Sequence, residues 1–474
     1  MRGHVDLPLA LDREAPVPLA VQLGDQLREG MRAGALKSGE RLPSSRGLAR
    51  LLGVSRTVVT EAFQQLYAEG WLEGRHGSGT YVADFPRFTS GPGGAGPSGT
   101  EERSAYGGAE PGAAGGGAAP GSPGRGTIDL RPGRPWVLDY DKAAWRRAWR
   151  RAADRPPSDV VDPYGHPRLR ELLADHLRRT RAVPVGPENV LVTRGTGHGI
   201  DLIAATVLRP GDGAGVEEPG YRAARRVFVA RGGRVVPCPV DEQGVVPADL
   251  PDDLRVLYTT PAHQYPLGGR LPIPRREGLL AWARRTGALV VEDDYDAEFR
   301  YDVAPLPALY GLDPERVVLL GTLSKSLAPD VGIGWLVATP GLLGEIARTR
   351  QRLADRTSGP VQEAVSVLLE RGDLDRHLRR MRLEYARRRA AIVEILGPLV
   401  SGDSAGLHVF LRLPEAAVGP LVAEAAGRGV LLDTTARHHH GRPRHHGLVI
   451  GYGSASLGEI RKACAVIAEL APDL

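Results

Sequence analysis

From Phe85 to Gly126 the chain reads FPRFTSGPGGAGPSGTEERSAYGGAEPGAAGGGAAPGSPGRG, with almost no large apolar side chain beyond its first residues. Such a stretch cannot bury enough surface to offset the entropy lost in ordering it, so residues 85–127 are expected to form a flexible linker. As a coil of about 40 residues its ends lie on the order of 35 Å apart, and the flanking modules can move relative to each other. The linker divides the 474-residue chain into a small module, residues 10–84, and a large one, residues 128–474.

Composition bounds the setting more than the fold. Hydrophobic residues at 42% and charged ones at 25% are ordinary for a soluble protein, and no apolar run approaches the roughly 20 residues that span a bilayer. The opening MRGHVDLPLALDREAPVP lacks a basic segment leading into an apolar core, and Cys238 and Cys464 show neither CxxC spacing nor a disulfide framework. A reducing, cytoplasmic setting without membrane association is expected. A formal charge of +5 is compatible with nucleic acid but carries little weight over this length.

In the small module, Leu19, Val21, Leu23, Leu27 and Met31 recur near helical spacing. A second helix is expected over Ser45–Leu52 and a third from an N-cap at Ser55 to about Glu69. WLEGRHGSGTYVAD then reads as two short strands about a Gly-rich turn. Three helices and a hairpin are the layout of a winged helix-turn-helix. With the turn at Leu52–Gly53–Val54, residues Ser55, Arg56, Thr57 and Thr60 occupy the opening turns of a recognition helix, where side chains meet base edges and phosphates. Arg56, and Arg46 beside Ser44 and Ser45, are the candidates for guanine contact, while His76, Gly77 and Ser78 sit at the wing. Taken alone, PSSR and VSRT also fit caps and surface charge on a small helical bundle.

Pro16–Ala83, with its LPSSRGLARLLGVSRTVVTEAFQQLYAEGWL run and HGSGTYV wing, resembles the GntR family of regulators. That resemblance implies double-stranded DNA as a partner. It gives Arg46, Ser55, Arg56, Thr57, Thr60, His76 and Gly77 the DNA-contact role.

Beyond the linker, ENVLVTRG, GAGVEEPG, RVVPCPV, RVLYTTP, ALVVEDD and RVVLLGT are continuous apolar runs, as parallel strands covered on both faces are. Amphipathic stretches such as Leu169–Arg179, Ile200–Leu208 and Arg275–Thr286 lie between them, which predicts a doubly wound α/β domain. From about Leu353 to Leu474 a long Arg-rich helix, Leu374–Leu396, and shorter segments predict a small α+β lobe.

Four segments of this domain carry chemistry. LLGTLSKSLAPDVGIGW sets Lys325, one of only four lysines, after an apolar strand and beside Ser324; a lysine forms a Schiff base readily only when burial or nearby cations keep its amine neutral. VVEDDYDAEFRY sets Asp293 and Tyr295 at another strand end, where a carboxylate can keep a pyridine nitrogen protonated and a hydroxyl can reach a phenolic oxygen. VTRGTGHGIDLIAA runs through Gly195, Thr196 and Gly197 into a helix, presenting free backbone N–H groups to a phosphate. EEPGYR offers Tyr221 as a stacking ring, and TPAHQYPLGG offers polar side chains, Tyr265 among them. Each segment also has an ordinary reading: a strand-end lysine, a solvated acidic turn, a glycine before a helix. The run from Arg437 to His446 has no acidic or cysteine partner at fixed spacing, so an exposed loop and no metal site are expected.

In that order and spacing the segments resemble fold-type I aminotransferases, and behind a GntR module they resemble the MocR/PdxR-type regulators across nearly all of the chain outside the linker. The resemblance implies pyridoxal 5'-phosphate (PLP) as cofactor. Lys325 would be its Schiff-base lysine, Asp293 the pyridinium partner, Tyr295 the phenolate partner and Tyr221 the stacking ring, with Gly195, Thr196, Gly197 and Ser324 at the phosphate. It also implies head-to-tail homodimers and a regulator that senses PLP or a small amino compound captured on it. Two rival functions stay open: a working aminotransferase with accessory DNA binding, and a regulator whose large domain no longer takes PLP.

Departures from the family pattern bear on both rivals. Gly332 stands seven residues after the lysine, where relatives usually carry an arginine for the phosphate. Val160 replaces the tyrosine of the family's YGDP segment, which reaches the partner subunit's phosphate, and PTG has become Pro266–Leu267–Gly268. Losing a charge-assisted phosphate contact costs about 1.5–3 kcal/mol, so PLP binding roughly 10- to 100-fold weaker is expected unless another arginine substitutes. Val449 is nearest to where aminotransferases often hold a substrate carboxylate with arginine, so efficient transamination is not expected.

Overall fold

Ser44 and Ser55 each end an extended stretch and open a helix. Their hydroxyls accept from the backbone N–H of Gly47 (3.1 Å) and Val58 (3.3 Å), satisfying donors that a helix start leaves free. The computed structural model describes residues 9–13, 15, 17–75, 79–83, 126–296, 298–301 and 306–471. The expected wing residues His76, Gly77 and Ser78, and the expected linker up to residue 125, lie outside the described residues. Leu19–Arg32, Ser45–Leu52 and Arg56–Glu69 are the three helices, and Gly53 takes the left-handed turn between the second and third at φ +62°. Leu72–Arg75 pairs antiparallel with Gly79–Val82, and the Tyr67 hydroxyl donates to Thr80 Oγ1 at 2.6 Å, fastening this hairpin to the third helix. Leu23, Leu27, Val59, Leu66 and Trp71 fill the core between them.

The large domain is organised by one sheet in the order Val190–Thr193, Gly334–Val337, Val317–Thr322, Leu289–Asp293, Leu254–Thr259, Gly213–Glu218, Arg234–Asp241 and Gly244–Val245. The five strands from Val317–Thr322 to Arg234–Asp241 run parallel. Their apolar continuity follows from burial on both faces: Val290 and Leu319 point into one core, Val291 and Leu320 into the other. Helices Thr196–Val207, Arg222–Ala230 and Pro340–Arg352 cover the second face, and Ile273–Thr286 and Pro167–Arg181 the first.

The expectation of parallel pairing throughout needs correction at two strands, of which Gly244–Val245 closes one edge antiparallel to Arg234–Asp241. Gly334–Val337, inside the segment read only as the flank of Lys325, inserts antiparallel between Val317–Thr322 and Val190–Thr193. A short turn, Pro329–Val331, and a left-handed Gly332 at φ +58° reverse the chain. A Cβ at Gly334 would meet Gly195 Cα and the Gly321 carbonyl at 2.7 Å, so this strand fits only because it starts on glycine.

The small lobe is an antiparallel sheet ordered Val400–Ser401, His408–Arg412, Gly447–Gly451, Asp433–Thr434, backed by Glu415–Gly427, Leu457–Leu470 and the long helix Asp373–Leu396. Ile128–Asp129 pairs with Val430–Leu431, so the chain passes this lobe before it enters the large sheet. The histidine-rich run is not simply an exposed loop. His438 and His439 are buried, and the His440 N–H donates to Glu218 at the end of a large-domain strand. Both cysteines are buried, their thiols pushed up to about 12 by desolvation. Among the described residues no helix is long and apolar enough to cross a membrane.

Reader module and large domain meet where the third helix ends. Arg32 pairs with Glu277, Ile273 and Leu306 join the reader's apolar core, and Gly70 lies against Pro272. Gly70 combines φ +82° with a Cβ position 2.5 Å from Pro272 Cβ. Gly70→Ala is therefore expected to destabilise the joint by more than the ~1–2 kcal/mol of a left-handed alanine alone. The check is faster amide hydrogen exchange at Trp71 and at the start of helix Ile273–Thr286, with the rest of the large domain unchanged.

Candidate functional site

Four ends of the parallel strands, and the end of Val190–Thr193, face one cavity of about 470 Å³. It is lined by Gly195, Thr196 and Gly197 after the first strand, by Tyr221, Tyr258, Tyr265, Asp293 and Tyr295, and by Thr322, Ser324 and Lys325. Every residue singled out for this chemistry in the large domain thus comes to one place, although the segments lie up to 130 residues apart in the chain (195 to 325). Beyond the carboxyl ends of a doubly wound sheet is where such folds gather ligands.

Lys325 points its amine at the Gly133 carbonyl, 2.6 Å away, on the segment that leads out of the small lobe. Burial pushes its pKa down, and the Asp296 and Asp293 carboxylates pull it back up. Asp293 accepts from the Tyr258 hydroxyl at 2.6 Å, and Thr196 Oγ1 lies 3.4 Å from its other oxygen. Desolvation raises the Asp293 pKa to about 7, against the stabilising bond from Tyr258. The carboxyl is consequently poised to gain or lose a proton near neutrality.

The walls are aromatic. Tyr221 stacks near Tyr258 with ring centroids 6.1 Å apart and meets the edge of Tyr265 at 6.2 Å. Tyr265 in turn sets its edge on Tyr295 at 6.2 Å. The Tyr295 hydroxyl donates to the His263 carbonyl at 3.0 Å and lies 3.2 Å from His263 Nδ1. At the other end, Gly195 has φ +116°, and a Cβ there would lie 3.6 Å from Thr322 Oγ1 and 3.7 Å from Ser324 Oγ. The missing side chain leaves a cradle between the start of helix Thr196–Val207 and two hydroxyls.

Sequence reasoning missed several lining residues. Tyr258 sits inside an apolar strand run and reads as core. His263, Asp296 and His408 form a buried cluster beneath Tyr295, with His263 Nδ1 2.9 Å from Asp296 and the two imidazole rings 4.5 Å apart. Burial holds His408 well below the usual histidine range, so it is neutral. His263 lies in the TPAHQYP segment and Asp296 in VVEDDYDAEFRY, but His408 arrives from the small lobe and had no such signal.

On the reader module, Arg46, Arg56 and Thr57 are exposed at the two helix starts. Ser44 and Ser55 spend their hydroxyls on capping, and Thr60 Oγ1 donates to the Arg56 carbonyl at 2.9 Å. Ser45 is partly buried in the first turn of its helix.

Comparison with known proteins matches residues 19–82 to the bacterial regulatory proteins of the gntR family and residues 137–434 to the class I and II aminotransferases. The HTH-type pyridoxine biosynthesis transcriptional regulator PdxR of Corynebacterium glutamicum is 36% identical over 468 residues, 98% of each chain. The chain belongs to the MocR-type regulators of the GntR family. The probable rhizopine catabolism regulatory protein MocR of Rhizobium meliloti is 34% identical over 94% of this chain and 92% of its own. Among solved structures, an archaeal alanine:glyoxylate aminotransferase superposes with a TM-score of 0.68 at 26% identity, covering 73% of this chain and 91% of its own. A Pyrococcus horikoshii kynurenine aminotransferase gives 0.66 at 26% identity, over 73% and 90%. This MocR-type chain is thus a helix-turn-helix transcription regulator with a fold-type I aminotransferase-like domain.

The departures also have places in the structure. Val160 is 77% exposed, Gly332 ends the Pro329–Val331 turn, and Val449 is fully buried in the small-lobe sheet. The raised Asp293 pKa fixes a pH signature for the chain free of ligand. A carboxyl whose folded value lies above its ordinary 3.8 contributes stability below that value and loses it as pH rises to about 7. Asp293→Asn, which cannot ionise, is expected to flatten that part of the decline. Urea denaturation of both chains between about pH 5 and pH 8 measures the difference, and parallel pH slopes would count against it.

Proposed function

We propose that this chain is a homodimeric regulator that reads duplex operator DNA through residues 10–84 and senses PLP in its large domain, residues 128–474. Residues 85–127 serve as the linker and residues 353–474 as the small lobe. The supporting observation is the convergence of Lys325, Asp293, Tyr295 and the Gly195–Thr196–Gly197 turn on one cavity. The cavity's chemistry suits PLP, because the Gly195 cradle faces hydroxyls and amides, and a carboxyl able to hold a proton lies between it and the tyrosines.

When bound, the cofactor supplies an electrophilic carbonyl and a ring that draws electrons from attached amines. Lys325 would hold the cofactor through its amine, whose burial favours the neutral form. Asp293 would face the ring nitrogen, Tyr295 the phenolic oxygen, and Tyr221 and Tyr265 the ring. Gly195, Thr196, Gly197 and Ser324 take the phosphate. On the reader, Ser44, Ser45, Arg46, Ser55, Arg56, Thr57 and Thr60 form the DNA face, joined by His76, Gly77 and Ser78 of the wing. In a head-to-tail dimer each reader, seated on its own large domain at Gly70 and Pro272, would also lie near the partner's large domain.

PLP itself is favoured as the signal over an amino acid captured on it. Val449 is buried apolar surface where a substrate carboxylate would need a cation, and the PdxR relative is named for pyridoxine biosynthesis. Small amino compounds are then secondary effectors, and transaminase turnover is weak.

The deciding experiment measures binding of the full chain to its own upstream DNA, with and without PLP, for wild type and Lys325→Ala. Expected is a PLP-induced change in affinity of about 5- to 150-fold in wild type, absent in Lys325→Ala, which still binds DNA and lacks the visible absorbance PLP gives wild type. An equal response from both chains would overturn the sensory role of Lys325. Arg46→Ala and Arg56→Ala are each expected to cost about 1–3 kcal/mol of operator discrimination, read by comparing specific with scrambled duplexes at one salt concentration.

A further inference from the structure

Gly332 removes the arginine that relatives place beyond the lysine, yet a phosphate dianion in this cavity needs a positive partner to offset its desolvation. Arg194 immediately precedes the Gly195 turn and is the only arginine lining the cavity among the described residues. Its guanidinium, 48% exposed, is turned toward the bend between helices Pro340–Arg352 and Gly359–Glu370. There Nη1 pairs with the Asp355 carboxylate and donates to the Arg356 carbonyl at 3.1 Å.

Asp355 keeps its charge compensated without Arg194, since Arg350 Nε lies 3.1 Å and His198 Nε2 2.8 Å from its other oxygen, but the tie from Arg194 to the Asp355 carboxylate and the Arg356 carbonyl would be lost. His198 also lines the cavity but is already committed: its Nδ1 accepts the Arg194 N–H at 3.0 Å, and burial drops its pKa to about 4, leaving it neutral. Arg194 therefore has both the charge and the freedom to turn. Ala354, within the same bend, is held at φ +50°, a conformation that costs a non-glycine residue energy and persists only while its neighbours fix it.

We propose that Arg194 is the phosphate-pairing arginine of this chain and that it is taken from Asp355 and Arg356 when a phosphate enters, loosening the bend that leads into the small lobe. The proposal rests on the PLP reading above and adds to it a route by which the phosphate, rather than the ring, is felt outside the cavity.

The test titrates PLP and pyridoxal, which lacks the phosphate, into full-length wild type, Arg194→Gln and Arg194→Lys, following visible absorbance. Arg194→Gln is expected to weaken PLP by about 10- to 100-fold and to leave pyridoxal unchanged, with Arg194→Lys recovering part of the loss as a point charge. In wild type, PLP but not pyridoxal should speed amide exchange at Ala354 and Asp355. Equal weakening of both ligands by Arg194→Gln would mean a collapsed turn, and unchanged PLP affinity an idle arginine; either overturns the pairing. Unaltered exchange at the bend overturns the release. Absence of a band with either ligand in wild type would instead sink the PLP reading itself, a distinguishable failure that removes this proposal with it.

Discussion

Glu217, Glu292, Asp293 and Asp296 carry carboxyl groups into the interior along the carboxyl edge of the sheet, and satisfying them fixes the loops that build the cavity. An unpaired buried carboxylate is costly enough that each must find donors. Glu217 accepts from Thr259, from the amide and hydroxyl of Thr260, and from Gln264. That pins the loop bearing His263 and Tyr265 to the neighbouring strand. Glu292 accepts the amides of Leu309 and Tyr310 at 3.0 and 3.1 Å, closing a connection on the far side. Asp296 takes His263 and the Leu407 amide, at 2.9 and 3.2 Å, and so ties the small lobe to the cavity floor. Asp293 is left with a tyrosine and a distant threonine, which is why it alone of the four faces the cavity with capacity to spare.

The same loop continues outward. Tyr265 lines the cavity, Leu267 and Gly269 line a second hollow together with Gly70 of the reader, and Pro272 touches Gly70. A displacement of Tyr265 by a bound ring therefore has a short covalent path, of seven residues by number (265 to 272), to the end of the third reader helix. Contiguity of this kind supplies a route and not a coupling; the coupling is the difference in ligand affinity between DNA-bound and free arrangements. Rigidity at the Glu217 end makes the route credible, since a loop held at one end transmits a shift to its other.

Local rules made much of this legible from sequence. Ser44 and Ser55 are read as caps because their chemistry is local, and the buried strands are read from runs of β-branched residues because burial on both faces leaves no alternation to find. Lys325, Asp293, Tyr295, Tyr221 and the Gly195 turn were nameable because each abuts such a run. What escaped depends on tertiary placement. Gly334–Val337 is a four-residue strand without flanking signals of its own. His408 joins His263 only because an antiparallel small-lobe strand is laid beside a large-domain loop. The run from Arg437 to His446 looked solvated by composition, yet His438 sets its ring edge 5.0 Å from Tyr265, apolar contact outweighing the polarity of an imidazole that burial leaves without a charge partner closer than 3.5 Å.

An aminotransferase and a sensor ask opposite things of the same cavity. A catalyst must keep its cofactor at all times, so permanent charges at the phosphate serve it; a sensor must be partly empty at the concentration it reports. Gly332 and Val160 stand where the family pattern has phosphate contacts, and Arg194 is engaged by Asp355, so a phosphate drawing on Arg194 as proposed would compete with a resident carboxylate. Competition lowers apparent affinity by the fraction of time the arginine is free, without dismantling the lysine, the carboxyl or the aromatic walls. Val449, buried in the small-lobe sheet, would on the same reading offer no cation to an incoming carboxylate. On the reading proposed above, the residues that depart from the enzyme pattern would set occupancy and substrate grip and those that match it would recognise the cofactor, a division that suits a sensor.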